Sequence, residues 1–369
     1  MHKIPIMLID ESISDDNLRK LINDYEPRYM YQDGKLIEVV KKEGDDMHPE
    51  LGLLLSTSGS TGASKCVRIS YNNLQSNTKA IVSELGIRSN DITITSLSMN
   101  YCYGLSVINT HLWAGATVLV TKEKIISSKF WKFATDENVT TFAGVPYTYE
   151  ILRKLKILDN FHFNKLLQAG GKLDRNLEEF LRRYSVEQVT ELYLMYGQTE
   201  ATARMSVFKV DSDSHYGSVG KAIVGGRFEI VSDKDDKVDC GRLGEIIYYG
   251  ENVSMGYAYS RNDLLKGDEN EGRLETGDIG YMDKNGYLHV TGRKDKIVKI
   301  NGLRVDLESI ESHLKKRYGC EYRVLYEDSV LRVVGEMLSG DEDEFVGALI
   351  GVNKRIVVCQ EGVVVKKGM

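Results

Sequence analysis

The sequence has no pair of cysteines in CxxC spacing; its five, Cys66, Cys102, Cys240, Cys320 and Cys359, are scattered and odd in number. That excludes a disulfide framework or a thiolate zinc site and reads as reduced thiols in a cytoplasmic protein. HExxH is absent, and the seven histidines show no close pairing, so each reads as structural. Nor is there an excess of positive charge: the net charge is −6, which argues against broad nucleic-acid binding. No apolar run approaches the roughly 18 residues needed to span a bilayer. The start, "MHKIPIMLIDESISDD", lacks the basic beginning and sustained apolar core of a secretory signal. Internal repeats, low-complexity tracts and Pro-rich linkers are missing too. What remains is ordinary globular composition, 42% apolar and 28% charged, over 369 residues, enough for two or three domains.

From Ile4 to about Leu194, short apolar runs alternate with amphipathic stretches. The strand-like runs are "IPIMLI", "LGLLLS", "ITITSL", "ATVLVT", "TTFAGV", "KLLQAG" and "ELYLMYG". Between them lie helix-like segments such as "NNLQSNTKAIVSEL" and "DRNLEEFLRRY", with apolar residues recurring at three and four. The rhythm predicts an α/β fold with mainly parallel sheet covered by helices, its ligands gathered at the carboxyl ends of the strands. After about Phe208 the chain becomes Gly-punctuated with short strands, as in a small antiparallel sheet or distorted barrel. A third block follows "TGRKDK", with a helix over "DLESIESHLKKRYG", Asp306 as its N-cap, and strands in "VLRVVGEM" and "KRIVVC". The expected domains are 1–205 (α/β), 206–293 (β-rich) and 294–369 (a small mobile α+β C-terminal domain). The acidic start of "LSGDEDEFVGALI" reads as an exposed helix start.

"LLLSTSGSTGASKCVRIS" runs from an apolar strand into hydroxyls, bare backbone amides and the ammonium of Lys65, an arrangement suited to polyphosphate. It is not a Walker loop: Ser64 precedes Lys65, Cys66 follows it, and "CVRIS" reads as a strand rather than a helix start. The Rossmann pattern fails beyond Gly59 and Gly62, and G-x-S-x-G is absent. Taken alone the stretch is also compatible with a plain Ser/Gly surface turn.

Three further segments stand in order with it: "YGQTEA" (Tyr196–Ala201), "GEIIYYGENVSMGY" (Gly244–Tyr257) and "TGDIGYMDKNGYLHVTGRKDKIVKINGLRV" (Thr276–Val305). Together, from about Gly52 to Glu311, the sequence resembles the adenylate-forming superfamily of acyl- and aryl-CoA synthetases, peptide-synthetase adenylation domains and luciferases. "MNYCYGLSVINTHL" and "FAGVPYTYE" look most like acyl-CoA-synthetase-like ligases of bacterial surface-polysaccharide gene clusters. The resemblance implies the corresponding fold, shortened at its N-terminus. It also implies ATP-dependent activation of a carboxylic acid to an acyl-adenylate, pyrophosphate release, and transfer to a thiol.

By resemblance, Ser58, Gly59, Ser60, Thr61, Gly62 and Lys65 cradle the β- and γ-phosphates. Tyr196 stacks on adenine, Thr199 contacts the α-phosphate and Glu200 holds Mg²⁺; Gly170 and Gly171 belong to the same nucleotide site. Asp278 accepts from both ribose hydroxyls, and Arg293 donates to ribose or phosphate. Lys65, Thr199, Glu200 and Arg293 are the catalytic set, and Asp295 is the hinge of the C-terminal domain. Gly302 either passes a pantetheine arm or makes an ordinary turn. Asn100, Tyr101, Tyr103, Gly104, Val145, Pro146, Gln168, Ala169 and Gly170 line the acyl pocket. Amino-acid-activating relatives carry an aspartate where Gly104 follows Tyr103, so an acid without an α-amino group is favoured, because an unpaired buried ammonium is costly.

ATP, Mg²⁺ and CoA or carrier-protein phosphopantetheine are the implied cofactors. The partners are a small carboxylic acid and a carrier protein, with no nucleic acid and no membrane. Three departures stand against this. Ser64 and Cys66 replace the Pro and Gly common around the loop lysine. Relatives have considerably more chain before the phosphate loop. They also carry a catalytic lysine that falls just beyond Met369 when "VVVKKGM" is laid on their final motif, which leaves Lys366 and Lys367 displaced. The alternative is therefore a nucleotide-binding but catalytically impaired homologue, or half of a split ligase acting as a binding partner.

Overall fold

The computed structural model describes residues 4–40, 47–56, 65–211, 214–232, 236–300, 303–327, 330–335, 338–350 and 357–361. The chain forms two compact units: Met1–Glu229 with Ile247–Leu274 and Asp283–His289, and Ile230–Ile246 with Glu275–Met282 and Val290–Met369.

The first unit is built on a seven-stranded sheet. Its order is Lys221–Ala222, Ser206–Lys209, Glu191–Tyr196, Lys165–Gln168, Thr141–Gly144, Ile92–Ile94 and Thr117–Leu119. The strands from Glu191–Tyr196 to Thr117–Leu119 are parallel, and the remaining two pair antiparallel. Alternate residues of these strands fall into two separate clusters. Phe142, Leu166, Leu192 and Leu194 pack in one, and Ala143, Leu167, Tyr193 and Met195 in the other. Both faces are thus buried, which is why the runs read as almost continuously apolar. At their carboxyl ends Thr141–Gly144 leads through Val145 into helix Pro146–Lys154, Lys165–Gln168 leads into "AGGK", and Glu191–Tyr196 leads into "GQTEA".

A second, mixed sheet carries the ends of the first motif. Ile6–Leu8 runs parallel to Leu51–Ser56, which pairs antiparallel with Cys66–Ser70. The latter pairs antiparallel with Tyr257–Ala258. The first two apolar runs therefore leave the parallel sheet expected for them. The physical reason is the return strand "CVRIS": it is wholly buried and opposes Leu51–Ser56 in register, Ser56 against Cys66. Helix Tyr71–Leu85 follows directly, started by a reciprocal cap between Ser70 and Asn73 and ended by Gly86 at φ 56.

In the second unit, Ile297–Ile300 and Leu303–Asp306 form a hairpin. Helices Leu307–Tyr318 and Glu342–Ile350 accompany a three-stranded sheet ordered Tyr322–Glu327, Val330–Gly335, Val357–Glu361. Ile310, Leu314, Val324, Leu331, Val333 and Val346 fill this core. Glu342 corrects the reading of an exposed acidic helix start. It is buried and accepts from the Ser339 and Gly340 amides and the Tyr322 hydroxyl. Among the described residues no helix is long and apolar enough to cross a membrane.

Candidate active site

Within the first unit, three of the sequence motifs meet at Tyr257. The Lys65 ammonium stands 3.6 Å from the centroid of its ring, and its hydroxyl donates to Glu200 Oε1 at 2.9 Å. No carboxylate of the described residues pairs with Lys65, so its charge remains available to another anion. Tyr257 is held by strand pairing and by the fully buried Arg68, whose Nε donates to the Tyr257 carbonyl at 3.1 Å. The rest of that guanidinium donates to the carbonyls of Met255, Lys266 and Gly267 and to Glu269.

The loop carrying Thr199 and Glu200 is compressed. A Cβ on Gly197 would lie 1.8 Å from the Ala203 carbonyl oxygen. Thr202 and Ala203 adopt φ of 60 and 132, conformations that non-glycine residues seldom take. The conformation is pinned from outside. Asn252 Nδ2 donates to the Ala201 and Arg204 carbonyls, Thr202 Oγ1 donates to the Asn252 carbonyl, and the Ser254 amide donates to the Glu200 carbonyl. Tyr248 holds Asn252 in turn, through its hydroxyl on Oδ1 at 2.9 Å. Tyr196, half-buried, lies 6.4 Å from Phe228, which lies 5.1 Å from Tyr248, giving an aromatic row behind the loop. Thr199 hydrogen-bonds the Cys102 thiol, which burial pushes up to about 11.

The residues assigned to the acyl pocket divide. Tyr101, Val145 and Gly170 come together: a Cβ on Gly170, at φ 79, would lie 2.4 Å from Tyr101 Oη and 3.0 Å from Val145 Cγ1. Pro146 similarly abuts Gly171 at 3.1 Å. Asn100 reaches toward Asp10, Nδ2 to Oδ2 at 2.9 Å. Tyr103, Gln168 and Ala169 are core residues. The Tyr103 hydroxyl donates to the Leu167 carbonyl at 2.7 Å, and Gln168 Nε2 to the Gly171 carbonyl at 2.9 Å. Gly104 packs on backbone, with a Cβ there falling 2.1 Å from the Ser98 carbonyl oxygen.

In the second unit, Asp278 and Arg293 pair, Oδ1 to Nη1 at 2.9 Å. Thr276 fixes the turn before the carboxylate: its hydroxyl accepts from the Asp278 amide and donates to the Ile246 carbonyl. Arg293 also donates to the Thr276 carbonyl at 3.2 Å, and Lys294 pairs with Glu245. Ser58, Gly59, Ser60, Thr61, Gly62, Gly302, Lys366 and Lys367 lie outside the described residues, as does the side chain of Asp295, on the turn Lys294–Lys296.

The sequence reading missed Tyr257, Asn252 and Arg204. Tyr257 closes "VSMGY" without a charge or spacing that announces it. Arg204 does carry a signal, a lone cation in the otherwise uncharged "ATARMSVF".

The profile of a family described as AMP-binding enzyme matches residues 11–258. The long-chain-fatty-acid–CoA ligase of Salmonella typhimurium is 28% identical over 303 residues, 80% of this chain and 53% of that protein. The oxalate–CoA ligase of Arabidopsis thaliana is 30% identical over 279 residues, 72% of this chain and 53% of that protein. The chain thus spans about half the length of the curated relatives it matches. The Bacillus subtilis o-succinylbenzoate CoA synthetase, in complex with its acyl-adenylate intermediate, has a TM-score of 0.71 at 22% identity. That match covers 86% of this chain and 67% of the other. The unliganded form gives 0.71 at 18% identity, covering 96% and 83%. At such identities the likeness is one of fold.

Proposed function

Because this chain belongs to the AMP-binding enzyme family, we propose that it activates a carboxylic acid with ATP and passes the acyl group to a thiol of CoA or of carrier-protein pantetheine. A carboxylate oxygen attacks the α-phosphorus, the bond to pyrophosphate breaks, and an acyl-adenylate forms. The thiol then attacks the acyl carbon, the bond to the phosphate oxygen breaks, AMP leaves and the thiol proton is lost. Carboxylates are poor electrophiles, and the first step exchanges an oxide leaving group for a phosphate ester.

The observation that carries this reading is the convergence of Lys65, Tyr257 and Glu200 from three separated motifs. Lys65 supplies a cation to the phosphates, where charge stabilisation matters most. Glu200 fits a hard cation: Oε1 takes the Tyr257 hydroxyl, and Oε2 has no partner among the described residues. Mg²⁺ bound there would neutralise phosphate charge. Tyr196 offers an aromatic face to adenine, Thr199 a hydroxyl to the α-phosphate, and Asp278 with Arg293 a ribose acceptor and a neighbouring donor. Tyr101, Val145 and Gly170 bound the acid.

The test is ATP–pyrophosphate exchange across a panel of carboxylic acids, alongside ATP binding by calorimetry. Acid-dependent exchange is expected. Binding without exchange for any acid would select the impaired or split-partner alternative, and no binding would overturn both.

A further inference from the structure

Three arginines of the first unit are buried: Arg68 at 0% exposure, Arg204 at 1%, and Arg182 at 3%, the last paired with Glu178. Arg68 spends every nitrogen on carbonyls and a carboxylate. Arg204 does not. Its Nη1 donates to Ser106 Oγ at 2.6 Å, and its guanidinium carbon sits 4.6 Å from the centroid of the Tyr103 ring. Nε and Nη2 have no partner, and no carboxylate of the described residues pairs with it. These two nitrogens share one edge of the guanidinium, the fork that receives a carboxylate through two parallel hydrogen bonds. A buried charge left without such a partner is costly, and burial already lowers this group's affinity for its proton.

The contacts of Arg204 belong to the start of helix Cys102–Trp113. Tyr103 is in its first turn and Ser106 in its second, and the N-cap Tyr101 makes no side-chain capping bond. The N-terminal end of a helix is its positive end, so a guanidinium brought there is repelled unless an anion lies between. Ser106 and Cys102 also line a cleft with Asn77, Thr78, Asn109 and Thr202. Tyr101, at the same helix start, is the residue whose hydroxyl abuts Gly170 in the expected acyl pocket.

We propose that the unpartnered edge of Arg204, positioned through Nη1 by Ser106 beside the uncapped start of helix Cys102–Trp113, is a receptor for a carboxylate group. Ser106 itself spends its proton on the Tyr103 carbonyl and acts only by holding the guanidinium. Two sources share that chemistry: the distal carboxylate of a dicarboxylic acid undergoing activation, or a free small carboxylate. The first source rests on the acid-activation reading; the receptor itself does not.

The experiment follows arginine Nε–H resonances of the ¹⁵N-labelled full chain, without ATP, during titration with malonate, succinate, glutarate, acetate and butyrate at fixed ionic strength. One resonance is expected to shift and saturate, and to be missing from Arg204→Lys. Saturation at tenfold or more lower concentration for a dicarboxylate than for acetate identifies the distal carboxylate. Equal midpoints identify a free carboxylate. Should Arg204→Lys fail to fold, Ser106→Ala keeps the arginine and should raise the midpoint several-fold. No saturable shift in the wild type, or the same shift in Arg204→Lys, overturns the proposal and leaves the fork to buried water. ATP titrated into the same sample tests the other reading separately: a chain that binds carboxylate but not ATP overturns acid activation and leaves the receptor standing.

Discussion

Lys65 and Glu200 share one tyrosine: the Lys65 ammonium lies on the Tyr257 ring at 3.6 Å, and the hydroxyl of that ring donates to Glu200 at 2.9 Å. Tyr257 is fixed by strand pairing to Val67 and by Arg68 on its carbonyl. Cation and carboxylate are thereby held apart by a rigid ring instead of neutralising each other as an ion pair. Each keeps its charge for a ligand.

Tyr257→Phe separates the two contacts. It keeps the ring under Lys65 and removes the donor to Glu200, a hydrogen bond to a charged group worth about 1.5–3 kcal/mol. Pyrophosphate exchange should fall by roughly tenfold or more, with a changed magnesium requirement. Tyr257→Ala should fall further, since the ring goes too. Wild-type exchange and magnesium dependence in the Phe variant would show the bond to be incidental.

Glu200→Gln keeps the shape and removes the charge. The fold should survive, because the loop is pinned by Asn252 and Ser254 through backbone groups and not through the Glu200 carboxylate. Magnesium-dependent adenylate formation should be lost. An unchanged melting temperature with wild-type adenylation at the same magnesium concentration would remove Glu200 from the metal site.

Asp278→Ala should weaken ATP binding by on the order of 2–4 kcal/mol, the loss of two charge-assisted hydrogen bonds at a largely buried carboxylate. The Arg293 guanidinium already orients that carboxylate, and the Thr276 hydroxyl holds the backbone amide of Asp278, so little rearrangement is needed on binding. Calorimetry reads the dissociation constant directly, and an unaltered value would sink the ribose assignment.

The sheet was legible because its strands are apolar in unbroken runs, and helix Arg175–Glu187 because its Asp174 cap and apolar period are both explicit. Helix Cys102–Trp113 was not read as a helix. Cys102, Tyr103, Ser106, Val107, Thr110 and His111 are buried around much of its circumference, so no amphipathic period survives. The hairpin Tyr29–Gln32 with Lys35–Glu38 was missed although Asp33 and Gly34, at φ 51 and 77, are a strong turn signal. Lys65 and Glu200 in the first unit, and Asp278 and Arg293 in the second, stand out because charge sits in a recognisable motif. Tyr257 gains its place from strand pairing far along the chain, which no local pattern encodes. Arg204 is announced as a lone cation in an uncharged stretch, but its packing against Tyr103 and Ser106 is not.

Asp263 supplies a pH-dependent contribution to the first unit. The Tyr259 amide, then the Lys266 ammonium, hold its carboxyl down to about 2 from an ordinary 3.8, against the opposing effect of burial. A folded-state value below the unfolded one means stability present above about pH 4 and lost as pH falls toward 2. The melting-temperature gap between wild type and Asp263→Asn should be widest near neutrality and narrow across that window. A gap constant from pH 7 to 2.5 would contradict the assignment.

Gly104 tests whether the expected preference for an acid without an α-amino group would be a matter of pocket charge or of space. By resemblance, an aspartate at this position is what an amino-acid-activating relative uses to pair the substrate ammonium, so Gly104→Asp is the obvious attempt to switch specificity. The geometry forbids it. A Cβ there would lie 2.1 Å from the Ser98 carbonyl oxygen, 2.9 Å from its carbon and 3.0 Å from the Leu97 oxygen. All three are backbone atoms, so no side-chain rotation relieves the overlap, and the Ser98 carbonyl is engaged by the Tyr101 amide at the helix start. Gly104→Ala alone should therefore destabilise by about 2–4 kcal/mol, at or above the usual cost of overpacking. Gly104→Asp should lose more and gain no amino-acid-dependent pyrophosphate exchange. Gly267→Ala, whose Cβ would meet nothing within 4 Å, is the control and should stay within about 0.5 kcal/mol of wild type. Denaturant unfolding of the three variants decides it: if Gly104→Ala unfolds at the wild-type midpoint, the backbone can yield at Ser98, and the absence of an aspartate reflects substrate choice instead of steric exclusion.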